Sequence, residues 1–143
     1  MTSANLLDRA LALHRAGQIE EAISVYRALL DKNPDEADLH HLLALALAHT
    51  TPLTAWTAFR RALALAPATG LYLHNAARLT DTADRAGLER VLSRALAVDP
   101  SHSTAHHQLG ALDVHSGRPD RAERRFHRSL ALDPALPSAH FDH

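Results

Sequence analysis

Apolar residues return at steps of three and four through most of this chain, the spacing that gathers them on one face of a helix. The pattern divides into eight amphipathic segments. They fall at roughly 4–16, 19–32, 36–49, 52–65, 70–80, 84–98, 102–116 and 119–132, with ends good to about two to four residues. Local signals agree with those ends. Gly17 and Gly117 suit helix termini that need a positive φ. Thr51 reads as an N-cap with Pro52 at the first helical position, where a missing N–H costs little, and Pro119 can play the same part.

A longer period lies over the short one. Pro34, Pro67, Pro100 and Pro134 are spaced by 33, 33 and 34 residues. A matching pair precedes each: Ala22-x3-Tyr26, Ala55-x3-Phe59, Leu88-x3-Leu92 and Ala122-x3-Phe126, the first member always 12 positions ahead of the proline. A fixed period of this length marks stacked supersecondary units, because one unit cannot bury its own apolar face. The alanines are small where a paired helix comes close. Tyr26, Phe59 and Phe126 follow one turn later and fill the space to the neighbour, which makes them packing residues.

The repeat resembles the tetratricopeptide repeat, a 34-residue helix–turn–helix. The last complete unit carries the resemblance best: His106-x2-Leu109-Gly110-x2-Asp113, Gly117 in the turn, then Ala122-x3-Phe126, Ser129 and Pro134. The first unit has Leu6, Ala10, Leu13, Gly17, Ala22, Tyr26 and Pro34, with Arg9 where the pattern wants leucine. The second keeps Leu43-Ala44, Leu47, Ala55, Phe59 and Ala62 but lacks the turn glycine, and the third is the most degenerate. The resemblance implies an all-α, right-handed solenoid of antiparallel helix pairs. A single domain over 1–143 would hold units at approximately 3–36, 37–69, 70–102 and 103–136. Residues 137–143 would open a truncated or capping fifth helix. A solenoid normally ends in a cap with a polar outer face. The expectation is therefore that the chain is a fragment of a longer protein, or that a second copy covers the end in a homo-oligomer.

Composition narrows the function classes. The 143 residues are 46% hydrophobic and only 4% aromatic, so packing is by small aliphatic side chains. A formal net charge of −1 gives no global field for nucleic acid or an anionic membrane surface. With no cysteine there is no disulfide and no thiolate chemistry, and the first thirteen residues hold no signal-like apolar run. A cytoplasmic location is expected. No phosphate loop, nucleophile elbow or HExxH pair is present, so the chain reads as a non-enzyme without a cofactor.

Histidine is the unusual component, at 12 residues; full protonation would carry the formal charge from −1 towards +11. His41, His74 and His107 recur every 33 residues. By the resemblance, first helices line a concave groove, and these three imidazoles would form a ladder along it. The groove contacts expected on that basis are Leu11, His41, Leu45, His49, His74, Asn75, Arg78, His107, Gln108 and His115. His40, His106 and His140 would replace the family's tryptophan as half-buried packing. His102 and His106, at i and i+4, form the candidate chelating pair, and no closed metal site is expected. Chaperone-binding members of the family grip a terminal carboxylate through Lys, Asn and Arg. Leu7, Leu11 and Leu42 stand at the corresponding sites here and only Asn75 agrees, so that clamp is missing. Arg118, Arg121, Arg124, Arg125 and Arg128, with Asp120 and Glu123, read as a solvated outer face with short-range ion pairs. The function expected is a scaffold that binds a peptide or protein segment. Alternatives are the recruiting arm of a larger enzyme of glycosyltransferase or hydroxylase type, and a small secretion-type chaperone.

Overall fold

Because each segment has one apolar face and short polar joints, it folds as a helix and pairs with its neighbour. The computed structural model describes residues 2–79 and 85–134. Its helices are α1 (Ser3–Arg15), α2 (Ile19–Lys32), α3 (Ala37–Leu47), α4 (Pro52–Leu65), α5 (Gly70–Leu79), α6 (Arg85–Val98), α7 (Ser103–His115) and α8 (Pro119–Leu132). Among the described residues there is no strand. The helices expected from the periodicity, and the all-α fold of antiparallel helix pairs that the resemblance implies, are therefore present. The expected fifth helix at 137–143 lies outside the described residues.

The helices fall into two compact units, Met1–Ala66 and Pro67–His143. In the first, α1 packs on α2, α2 on α3 and α3 on α4. The side chains expected to pack do so: Ala10, Ala22, Tyr26, Ala55, Phe59 and Ala62 are buried. Burying a ring the size of Tyr26 or Phe59 contributes roughly 1.5–3 kcal/mol. Trp56, which lies outside the repeat signature, is also in this core.

In the second unit α5 rests on α6 and α7, α6 on α7 and α7 on α8. Leu73, Leu88, Leu92, Ala95, Leu109, Ala122 and Phe126 are buried there, together with Tyr72. The pairing of α7 with α8 is tight because Gly110 has no side chain. A Cβ at that position would stand 2.7 Å from Phe126 Cε1. At the far end of the same pair the buried Ser129 Oγ donates to the Ser103 carbonyl at 3.0 Å, which joins the end of α8 to the start of α7.

Two helix ends differ from the sequence reading. α3 stops at Leu47, with Ala48 as its C-cap, so His49 is in the turn and not on a helix face. Thr51 occupies the N-cap position of α4 without capping it. Its hydroxyl turns back to donate to the Leu47 carbonyl at 3.4 Å. Gly17 and Gly117 do adopt positive φ, 81° and 71°, at the ends of α1 and α7.

Candidate functional site

The first helices of the Met1–Ala66 unit, α1 and α3, border an open cleft of about 260 Å³ floored by α2. Leu7 of α1, Leu29 of α2, and Leu39 and Leu42 of α3 give it an apolar lining. Leu29 and Leu39 are buried, whereas Leu7 and Leu42 keep part of their surface towards solvent. Glu36 and Asp38 place carboxylates on its edge, and Asn33 adds an amide. Leu7 and Leu42 are among the positions where the sequence lacks a carboxylate clamp. The same substitution that removes the clamp creates an apolar cleft.

The expected groove residues are unevenly placed. In the first unit Leu11 and Leu45 are half-buried and His49 is exposed. His41 is a correction: only 4% exposed, it is a core residue. Its ring packs against Phe59 with centroids 5.9 Å apart. Burial outweighs the opposing influence of Asp38 and holds the His41 pKa below the ordinary imidazole value. In the second unit His74, Arg78 and His115 are exposed, and Asn75, His107 and Gln108 are half-buried. The His107 ring tilts against Phe126 at 5.4 Å. The three equivalent imidazoles thus have three different environments, which a solvated ladder would not.

Three further histidines, His40, His102 and His106, serve the backbone. His40 Nε2–H donates to the Pro34 carbonyl at 2.8 Å, and His106 Nε2–H repeats the bond to Pro100 at 3.0 Å. A carbonyl can only accept, so the proton sits on Nε2 in both rings. His102 uses both nitrogens: Nδ1 accepts from the Ala105 N–H as the N-cap of α7, and Nε2–H donates to the Ala68 carbonyl at 2.7 Å. That geometry corrects the chelation reading. His102 has no lone pair left for a metal, and His106 Nε2 is committed to Pro100. Among the described residues no group of three or more His, Cys, Asp or Glu side chains is placed to hold a metal ion.

Two clusters were not visible in the sequence. His14 Nδ1 and the Tyr26 hydroxyl are hydrogen-bonded at 3.1 Å, and the His49 ring stands edge-on to His14 at 6.4 Å. Burial, with a smaller contribution from His49, depresses the His14 pKa, and burial raises that of Tyr26. On the second unit the carboxylate of Asp113, 5% exposed, accepts from Arg125 Nε at 3.0 Å and lies 3.9 Å from Arg121 Nε. Part of the arginine stripe is therefore tied to a buried acid and is not merely a solvated face. Both hydrogen-bonded pairs, His14 with Tyr26 and Asp113 with Arg125, join residues 12 apart across a short turn containing a positive-φ glycine. That separation was the available signal.

Comparison with known proteins gives the following. The tetratricopeptide-repeat family profile matches residues 3–46. A solved MamA structure is 17% identical, covers 96% of this chain and 76% of its own, and superposes with a TM-score of 0.75. PilF of Pseudomonas aeruginosa is 24% identical with a TM-score of 0.73, and the alignment covers 96% of this chain and 64% of PilF. PilW, a type IV pilus biogenesis factor, is 23% identical with a TM-score of 0.69 and the same two coverages, 96% and 64%. This chain therefore spans less than two thirds of PilF and PilW, and at these identities the likeness concerns the fold. No curated protein matches the sequence.

Proposed function

We propose that this chain, whose residues 3–46 match the tetratricopeptide-repeat profile, is a non-catalytic scaffold whose Met1–Ala66 unit docks an extended segment of a partner protein between α1 and α3. The observation that carries this reading is the cleft lined by Leu7, Leu29, Leu39 and Leu42, with Glu36 and Asp38 on its edge. An apolar floor beside carboxylates suits a segment that presents an aliphatic or aromatic side chain next to Lys or Arg. The apolar side chain supplies most of the affinity, since its burial removes surface from water. The carboxylates fix orientation and reject acidic segments. Among the described residues no helix is long and apolar enough to cross a membrane, and a cytoplasmic location accompanies this reading.

The test uses a segment selected against the purified chain from a displayed random-peptide library. Its affinity is then measured for the wild type and for a Leu7→Gln, Leu42→Gln variant. Replacing two half-buried leucines removes on the order of 1.5–3 kcal/mol of apolar contact, and 1.4 kcal/mol is a factor of ten. The expected result is at least a tenfold weakening, with α-helical circular dichroism unchanged. Equal affinity would overturn the assignment of this cleft.

A further inference from the structure

On the Pro67–His143 unit, Arg121, Arg124, Arg125 and Arg128 follow one another at i, i+3, i+4 and i+7 along α8, so four guanidinium groups share one face. With His106 of α7 they line an open cleft of about 330 Å³. The only carboxylate bound to these arginines among the described ion pairs is Asp113, buried beneath them.

Asp113 neutralises one charge and also orients. It holds Arg125 through Nε, which leaves both terminal NH2 groups of that guanidinium for another acceptor. Among the described residues Arg124 and Arg128 take part in no ion pair, and Glu123, between them and the helix start, is turned to His127 at 3.6 Å. The cleft therefore gathers four cations over one buried anion, with one arginine fixed in place.

Its chemistry is that of a carboxylate receptor, because planar guanidinium groups meet carboxylates through paired N–H bonds. The size limits the ligand. About 330 Å³ is at the lower end of ligand sites, enough for a few side chains. The surroundings limit it further. This unit carries nine arginines against nine carboxylates, so the positive charge is local and provides no extended track for a polyanion. We infer that the α7–α8 cleft is a second docking surface, which takes a short acidic segment of a partner protein through Arg124, Arg128 and the free NH2 groups of Arg125.

The experiment is fluorescence anisotropy with fluorescein-labelled hexaglutamate on the full chain at low salt. Labelled hexaglutamine and a six-nucleotide single-stranded DNA are run in parallel. Hexaglutamate should bind, hexaglutamine should not, and the DNA should bind more weakly than hexaglutamate. Affinity should fall as salt is added, since exposed charges are screened beyond about 10 Å at 0.1 M. An Arg124→Gln, Arg128→Gln variant, in which the Asp113–Arg125 bond is untouched, should bind hexaglutamate at least tenfold more weakly. The Leu7→Gln, Leu42→Gln variant should bind it as the wild type does, which separates this surface from the one proposed above. No hexaglutamate binding, undiminished binding by the arginine variant, or tighter binding of the DNA would each overturn the inference.

Discussion

At the scale of single residues, the contacts that decide packing are small ones. Gly110 lies under the Phe126 ring, and an added Cβ would approach it to 2.7–3.1 Å. Two effects oppose each other in Gly110→Ala. Alanine is the better helix former by about 1 kcal/mol. Overpacking a well-filled contact costs roughly 1–3 kcal/mol. Because the nearest atoms belong to a buried ring held between two helices, the clash should win. Gly110→Ala is expected to lower stability by on the order of 1 kcal/mol, read as the shift in urea midpoint at constant slope. The role of Ala22, Ala55 and Ala122 was legible in the sequence because it follows from period alone. The fate of individual histidines was not. His41 and His74 are equivalent in the repeat, yet one is buried and the other exposed. Burial depends on which neighbours surround a position, and period does not report neighbours.

At the scale of elements, one helix start rests on a residue that propensity would not select. α7 begins on His102, whose imidazole accepts the Ala105 N–H and reaches to the Ala68 carbonyl ahead of α5. One side chain thus caps a helix and ties it to the segment that leads into another. His102→Ala should cost about 1 kcal/mol for the lost cap and about 1 kcal/mol for the lost bond. Hydrogen exchange gives a readout that a general loss of packing would not: protection should fall first at the amides that open α7. The sequence offers His102 only as half of an i,i+4 chelating pair with His106, because spacing is the only information a linear pattern holds. It could not show that both ring nitrogens are taken by main-chain atoms. The helices themselves were legible, since eight amphipathic stretches with glycine and proline at their ends leave little choice of class. The end of α3 was not: the sequence carried that helix on to His49, whereas the chain turns after Leu47.

At the scale of the whole molecule, titration and recognition follow from what each unit buries. His14 and His41 both have folded pKa values below the ordinary 6.5, mainly through burial. The unfolded chain then binds more protons than the folded one once pH drops below about 6.5, so the stability these groups contribute is full above that value and is lost as pH falls towards their folded values. Thermal melts at pH 7.5 and 5.5 should show the lower melting temperature at 5.5. His41→Leu, which keeps an apolar side chain against Phe59, should narrow the difference. Equal melting temperatures would mean that neither imidazole resists protonation in the fold.

The scaffold reading was legible from the repeat, but the docking cleft was not. Leu7 and Leu42 drew notice only as the absence of a charged clamp, because an apolar concavity needs three helices in place before it exists. Docking between α1 and α3 is tested most directly by an amide chemical-shift map of the chain titrated with the library-selected segment. The largest perturbations should fall on Leu7, Asp38, Leu39 and Leu42. Perturbations centred on other residues, with these four unmoved, would contradict it.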